Sequence, residues 1–125
     1  FAKDKIFAYL NLDENEFSLY DQVYRLLDAR VTKPDMVIFL QAKTDILIER
    51  IKKRNKEYER NIEEGYLEEL CEAYNNFFFY YTETPLLVVN TSDIDFVNSP
   101  NDLSNLVKEI RSIKGGVHYY MPIGR

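Results

Sequence analysis

The chain contains 125 residues, of which 46% are hydrophobic and 30% charged, and 21 acidic against 16 basic side chains give it a formal net charge of −5. This apolar fraction is sufficient for one folded domain, and the presence of only four glycines and four prolines excludes a collagen-like, low-complexity or disordered chain. The acidic balance argues against a protein that binds duplex DNA or an anionic membrane, and no apolar run approaches the roughly 20 residues of a membrane span. Because the single cysteine, Cys71, has no internal partner for a disulfide, we expect a reducing, cytoplasmic location.

The first 40 residues predict two helices and a buried strand. The second helix covers residues 14–30, where apolar side chains recur at steps of three and four: Phe17, Tyr20, Val23, Tyr24 and Leu27. Pro34 closes this region, since the residue before a proline disfavours helix. The continuous apolar run 36–40 then predicts a strand buried on both faces, as in a parallel sheet covered by helices.

A helix, a charged segment and a second long helix follow. Thr44 and Asp45 are suited to cap the first of these helices. Residues 52–60 are dense in charge and carry no apolar stripe, which predicts a loop. The long helix after this loop carries aromatic and apolar side chains at helical spacing: Leu67, Leu70, Cys71, Tyr74, Phe77, Phe78 and Tyr81.

The last third of the chain predicts a strand and a final helix. The apolar run 86–89 predicts a second buried strand. A polar loop then leads to Ser99 and Pro100, which form a favourable cap and first turn for the last helix. Two glycines at positions 115–116 stop that helix, and residues 118–125 are expected to form a tail.

This order of elements predicts an α/β fold with parallel strands, because parallel strands are joined by right-handed helical crossovers. Two strands make a poor sheet, so we expect this chain to be the closing part of a larger one. It also begins with Phe1 rather than methionine, which leads us to expect a preceding segment.

The densest charge lies in residues 49–60, where six of twelve side chains are basic. Such a cluster suits a polyphosphate, because phosphoryl transfer needs cations around the oxygens of the moving group. A solvated helix face is the other interpretation of the same charges.

The motifs, taken in order, resemble the deoxynucleoside kinase family, the cellular kinases of deoxyguanosine, deoxyadenosine, deoxycytidine and thymidine. The similar segments run from about residue 6 to residue 113: Ile6-Phe7-Ala8, residues 34–42, 48–54, 58–59 and 66–70, and Asp93-Ile94-Asp95-Phe96. The resemblance implies a partial P-loop kinase fold, with parallel strands flanked by helices and the P-loop in a missing N-terminal part. Residues 1–125 would then be the C-terminal portion of one kinase domain, with its lid at about residues 52–62.

For the donor nucleotide, the resemblance implies contacts from two places. Arg50 and Arg54 correspond to arginines on the helix that enters the lid, and Arg54 with Lys56 would act on the transferring phosphoryl group. The adenine of ATP would be held, largely through backbone groups, by a loop of three residues: Ile94, Asp95 and Phe96.

For the acceptor, Glu59 corresponds to the lid glutamate that hydrogen-bonds the sugar 3′-hydroxyl, and Phe7 corresponds to the aromatic residue against the base. The family's Asp-Arg pair is not reproduced near Asp4, whose role stays open. From the residues alone, Phe7 also fits a core position and Glu59 a surface acid. In the same way Asp95 fits a turn cap and Phe96 a plug at the sheet edge.

The implied function is transfer of the γ-phosphoryl group of ATP, with Mg²⁺, to the 5′-hydroxyl of a deoxynucleoside by a homodimer associating through helices. ATP and Mg²⁺ would be bound mainly by the missing part, since the pattern Gly-x-x-x-x-Gly-Lys-Ser/Thr does not occur in these 125 residues. We therefore expect the chain alone to be inactive. No metal site is predicted within it, since His118 has no second ligand at a suitable spacing.

Two other functions stay open. Another P-loop kinase of small molecules, such as a nucleoside monophosphate kinase, would share the order of strand, helix and lid. A non-catalytic partner subunit would instead use its aromatic helices, residues 14–30 and 66–81, for a contact between two chains.

Overall fold

The structure, a computed structural model, describes residues 2–54 and 64–121 of the chain. Its elements in chain order are α1 Ala2–Asn11, α2 Glu14–Asp28, β1 Val37–Gln41, α3 Thr44–Arg54, α4 Glu64–Phe79, β2 Leu86–Asn90, α5 Pro100–Ser112 and β3 Val117–Tyr120. None of the helices described is both long and apolar enough to span a membrane. The chain divides into a helical unit, Phe1–Lys33 with Asn61–Tyr80, and a sheet unit, Pro34–Arg60 with Tyr81–Arg125.

In the helical unit, α1 contacts both α2 and α4. The core of this unit contains three buried side chains: Ile6, Leu67 and Phe78. α2 begins at a capping box, in which the Asp13 carboxylate accepts from the Glu16 N–H at 2.8 Å and the Glu16 carboxylate accepts from the Asp13 N–H at 3.1 Å. The helix predicted over residues 14–30 is thereby confirmed, and it ends at Asp28.

The apolar side chains of α2 differ in exposure from one edge of the apolar face to the other. Phe17, Tyr20 and Tyr24 are half-buried and follow one another along one side, with neighbouring rings tilted by 34° and 35° and their centroids 5.9 Å apart. Val23 and Leu27, which recur with these rings at helical spacing, are 48% and 51% exposed. They belong to an outer row at helical spacing, which we call the α2 stripe: Leu19, Val23, Leu26 and Leu27.

The sheet unit contains three parallel strands in the order β1-β2-β3. Residues 86–89 of the central strand β2 are all buried, which confirms the second predicted strand. The predicted tail is wrong, because residues 117–120 form β3 beside β2. Gly116 adopts a φ of 75° just before β3, and its carbonyl oxygen accepts from the Leu86 N–H at 3.0 Å. Since β3 has only four residues, three of them exposed, it lacks the apolar run that identifies a buried strand.

β1 is an edge strand of the described sheet, and one of its faces is open. Ile38 and Leu40 are 40% and 50% exposed, so the prediction of a strand buried on both faces is wrong for β1. In register these two residues lie beside Leu87 and Val89 of β2, on the same face of the sheet. The core cluster on that face is centred on β2 and α5: Leu87, Val89, Ile94 and Leu106.

Two helix boundaries bear on the site. α5 begins where it is predicted, since the Ser99 hydroxyl accepts from the Asp102 N–H at 3.3 Å as an N-cap. α3 begins at Thr44 itself and continues to Arg54, into the segment predicted as a charged loop. Lysine and arginine are favourable helix formers, which explains this extension. Residues 55–63 lie outside the described residues.

Candidate functional site

A cleft of about 450 Å³ opens in the sheet unit between α3 and the loop that leads from β2 to α5. We call residues 91–99 the β2–α5 loop. The cleft is lined by two cations of α3 and five consecutive loop residues: Arg50, Lys53, Ile94, Asp95, Phe96, Val97 and Asn98. The loop follows the carboxyl end of a parallel strand, which is where α/β proteins generally bind their ligands.

Arg50 connects α3 to the β2–α5 loop. Its guanidinium donates to the Thr91 hydroxyl at 3.0 Å and to the Thr91 carbonyl oxygen at 2.6 Å, with a longer bond of 3.4 Å to the Ile94 carbonyl oxygen. The two bonds to Thr91 use Nη1 and Nη2, so one residue engages both arms of the planar fork. The half-buried guanidinium therefore lies against the loop.

Thr91 is only 4% exposed and continues the pairing between β1 and β2. Its N–H and its hydroxyl both donate to the Gln41 carbonyl oxygen, at 2.7 and 3.0 Å. The same hydroxyl accepts from Arg50, which is possible because a threonine hydroxyl has one donor and two lone pairs. Thr91 thus joins the end of β1 to a cation of α3.

The Asp95 carboxylate closes the tip of the loop. It accepts from the Val97 and Asn98 N–H groups at 3.1 and 3.0 Å and from the Asn98 side-chain amide at 2.7 Å. These hydrogen bonds, above all the one from the Asn98 side chain, hold the pKa of Asp95 below its ordinary value, and the charge of Lys53 adds to the effect. Asp95 is therefore ionised at neutral pH, and it caps a turn while also lining the cleft.

A second carboxylate holds the loop from the side of α5. Asp102 lies in the first turn of that helix, is 9% exposed, and accepts from the Asp95 N–H at 2.9 Å. The Asp95 carbonyl oxygen in turn accepts from the Ser99 N–H at 2.8 Å. The loop is thus fixed at two points, by Arg50 and by Asp102.

Phe96 has contacts on two sides. Its half-buried side chain packs against the core cluster of β2 and α5, and it also lines the cleft. Phe96 can therefore cover the edge of the sheet and contact a ligand in the cleft at the same time.

Four residues singled out from the sequence meet in this cleft: Arg50, Ile94, Asp95 and Phe96. The sequence analysis missed Lys53 in the lining and Thr91 and Asp102 in the support. Lys53 could have been found, because it follows Arg50 by three residues and so shares its helix face. Thr91 and Asp102 carry no comparable signal, since each is one polar residue within a polar loop or helix start.

Of the other predicted site residues, three have side chains outside the described residues and one belongs to the helical unit. Arg54 is the last residue of α3, and its side chain lies outside the described residues, as do Lys56, Glu59 and most of the predicted lid. Phe7 belongs to the helical unit, where its half-buried ring meets Tyr74 edge to face at 6.4 Å.

Asp4 has a structural partner within the helical unit. Its carboxylate accepts from the Tyr20 hydroxyl at 2.6 Å, which links α1 to α2. Desolvation by burial and this hydrogen bond raise the pKa of Tyr20 above its ordinary value. The hydroxyl therefore keeps its proton and its bond to Asp4 across the physiological range.

Comparison with known proteins identifies what this arrangement is similar to. A family model described as deoxynucleoside kinase matches residues 1–114. A deoxyguanosine kinase of Bacillus subtilis is 31% identical over 115 residues, covering 89% of this chain and 56% of the relative. A deoxyadenosine kinase of Dictyostelium discoideum is 30% identical over 112 residues, covering 85% of this chain and 44% of the relative.

The solved structure of a deoxyadenosine kinase from M. mycoides with bound dCTP has a TM-score of 0.69 and 29% identity, covering 90% of this chain and 61% of that one. These matches confirm the resemblance found in the sequence and the partial α/β kinase fold. The chain spans about half the length of the curated relatives it matches, between 44% and 57%.

Proposed function

Since the chain belongs to the deoxynucleoside kinase family, we propose that the protein transfers the γ-phosphoryl group of ATP to the 5′-hydroxyl of a deoxynucleoside. The observation that carries this proposal is the cleft in the sheet unit, where Arg50 meets the β2–α5 loop. These are the two parts of the chain that the family resemblance assigns to the donor nucleotide.

The chemistry of the cleft supports a nucleoside triphosphate as its ligand. Phe96 and Val97 offer apolar surface for a flat base, and Val97 is 82% exposed, whereas Ile94 lies almost fully buried in the wall of the cleft. Arg50 and Lys53 add positive charge beside that surface, which suits a phosphate chain. A volume of about 450 Å³ falls within the range of small-molecule sites.

For the transfer step, we propose that Arg54 and Lys56 bind the phosphoryl group as it moves from donor to acceptor. Its transition state spreads negative charge over three equatorial oxygens, so catalysis depends mainly on positioning and on nearby cations. Arg54 would hold two oxygens through its planar fork, whereas Lys56 would supply a point charge. α3 supports this assignment, because it carries Arg50 in the cleft and ends at Arg54 about one helical turn later.

For the acceptor, we propose that Glu59 hydrogen-bonds the sugar 3′-hydroxyl and that Phe7 contacts the base. A carboxylate accepts a hydrogen bond from a hydroxyl, and an aromatic ring offers a face to a flat base. The names of the relatives, kinases of deoxyguanosine and deoxyadenosine, support a deoxynucleoside as the acceptor class.

Mg²⁺ would reach the site bound to the ATP phosphates, where it neutralises part of their charge. In residues 2–54 and 64–121, no group of three or more histidine, cysteine, aspartate or glutamate side chains is placed to hold a metal ion. Within these described residues we assign none to Mg²⁺.

We propose a homodimer that associates through helices. The α2 stripe supports it, because its four apolar side chains are 48–72% exposed and form a continuous row on one helix. We also propose a cytoplasmic location, because a chain with a single cysteine forms no internal disulfide and suits a reducing compartment.

The direct test is product analysis with the natural protein, including any residues that flank this chain. The protein is incubated with ATP and Mg²⁺ and with deoxynucleosides or, in parallel, the matching deoxynucleoside monophosphates, and the products are separated by anion exchange. We expect deoxynucleosides to become 5′-monophosphates. Phosphorylation of the monophosphates alone would instead identify a nucleoside monophosphate kinase. Absence of both turnover and ATP binding would identify a non-catalytic subunit.

A further inference from the structure

The hydroxyl of Thr91 lies between the end of β1 and the guanidinium of Arg50, and each neighbour keeps another bond to the Thr91 backbone. The Gln41 carbonyl oxygen still accepts from the Thr91 N–H at 2.7 Å, and Arg50 still donates to the Thr91 carbonyl oxygen at 2.6 Å. Loss of the hydroxyl alone would therefore leave neither group without a partner.

The Thr91 hydroxyl fixes the orientation of the Arg50 guanidinium. With two oxygens of one residue bound to Nη1 and Nη2, the plane of the Arg50 guanidinium is fixed relative to the β2–α5 loop. Without the hydroxyl, Nη2 would keep its 2.6 Å bond to the Thr91 carbonyl oxygen and its longer 3.4 Å bond to the Ile94 carbonyl oxygen, but Nη1 would lose its contact with Thr91 and the group could rotate about Nη2. Because Arg50 lines the cleft, its orientation sets the shape and charge of the wall that α3 contributes.

We infer that Thr91 is a positioning residue of the donor site, which preforms the cationic wall of the cleft by holding Arg50 in one orientation. The identity of the ligand as a nucleoside triphosphate rests on the proposed function. Thr91 is not part of the cleft lining, so its effect on the ligand passes through Arg50. The long arginine side chain then loses its conformational entropy when the protein folds rather than when ATP binds.

Two substitutions at Thr91 separate the hydroxyl from the shape of the side chain. Thr91→Val keeps the β-branched shape and removes the hydroxyl, whereas Thr91→Ser keeps the hydroxyl. Thr84→Val is a matched control just before β2, at its opposite end, because the Thr84 hydroxyl is bonded to the Tyr81 hydroxyl at 2.8 Å and donates to the Pro85 carbonyl oxygen at 3.0 Å. All three variants are made in the natural protein.

We expect Thr91→Val to raise the dissociation constant of ATP, measured by calorimetry, about tenfold, as for the loss of a hydrogen bond to a charged group. Thr91→Ser and Thr84→Val are expected to stay within about twofold of the wild type, and so is the KM for the deoxynucleoside in every variant. An unchanged ATP constant in Thr91→Val, or an equal rise in Thr84→Val, would overturn the inference.

A double-mutant cycle tests whether the effect passes through Arg50. In an Arg50→Met background, Thr91→Val is expected to cause no further loss of ATP affinity, whereas additive losses would overturn the inference. If Thr91→Val does not fold, Arg50→Lys replaces it, because lysine keeps the charge but cannot engage both Thr91 oxygens through a fork. Undiminished ATP affinity in Arg50→Lys would count equally against the inference.

The same measurements separate this inference from the proposed function. A wild-type protein that binds ATP without phosphorylating any deoxynucleoside would overturn the proposed function, and the dissociation constants would still decide the role of Thr91. A wild-type protein that does not bind ATP would overturn both.

Discussion

Lys52 and Lys53 are adjacent exposed cations on α3 with different surroundings. Lys53 lines the cleft and lies near enough to Asp95 for its charge to help hold down the pKa of that carboxyl, whereas Lys52 does not line the cleft. Among the described residues, Lys53 makes no hydrogen bond and no ion pair shorter than 4.0 Å. Because Lys53 lines the cleft, we expect its ammonium to contact a phosphate of the bound ligand.

Lys53→Gln is expected to raise the KM for ATP about threefold to tenfold, which is less than the loss of a typical hydrogen bond to a charged group, because the side chain is exposed to solvent. The effect should shrink at high salt, because the side chain is exposed and its charge is screened. Steady-state kinetics at low and high ionic strength measure both quantities.

Lys52→Gln is the matched control, because it removes the same charge from the same helix. We expect its KM for ATP to equal that of the wild type. Equal effects of the two substitutions would mean that ATP responds to the total charge of α3, and the assignment of Lys53 to the cleft ligand would fail.

At the scale of single elements, the α2 stripe makes a prediction about assembly. Leu26, 72% exposed, lies within the stripe, whereas exposed Ser18 lies on another side of the same helix. Leu26→Glu is expected to convert the proposed dimer to monomers, because the charge would be buried between two apolar surfaces. Ser18→Glu adds the same charge and is expected to leave the dimer intact.

Sedimentation velocity on the natural protein measures both variants. A wild type that sediments as a monomer at all concentrations would contradict the proposed homodimer. A dimer that survives Leu26→Glu would instead place the contact elsewhere than on the α2 stripe.

How much of the fold follows from the sequence differs between elements. The run 86–89 and the Ser99 cap are local signals, and both β2 and the start of α5 are found where these signals predict them. α2 is predicted as a helix, but which of its apolar side chains are buried is not, because they cover roughly half of its circumference. β3 is missed because a short, mostly exposed strand is specified by pairing with β2 rather than by its own pattern.

The candidate site, too, contains some residues that the sequence predicts and others that it does not. Arg50 and residues 94–96 follow from motifs that resemble a known family, and the structure brings them to one cleft. Thr91 and Asp102 act through hydrogen bonds to partners distant in sequence or across a turn, such as Arg50 and the Asp95 N–H. Such pairings depend on the register of β1 and β2 and on the path of the loop, and neither can be predicted from a short stretch of sequence.

At the scale of the whole molecule, an acidic chain is proposed to bind a highly anionic ligand. The net charge is −5, yet six of the twelve residues in the segment 49–60 are basic. A local concentration of cations can attract phosphate although the overall charge repels it, because at physiological salt charges act over about 8 Å. If the proposed donor site is correct, binding of the donor depends on where α3 places its cations rather than on the net charge of the protein.

The central claim is that the donor triphosphate occupies the cleft between α3 and the β2–α5 loop. Photolabelling of the natural protein with 8-azido-ATP, followed by peptide mapping, tests this claim most directly. We expect the label on the peptide that contains residues 94–98, and we expect excess ATP to abolish it. Label confined to peptides of the helical unit, with none in residues 44–54 or 91–99, would contradict the claim.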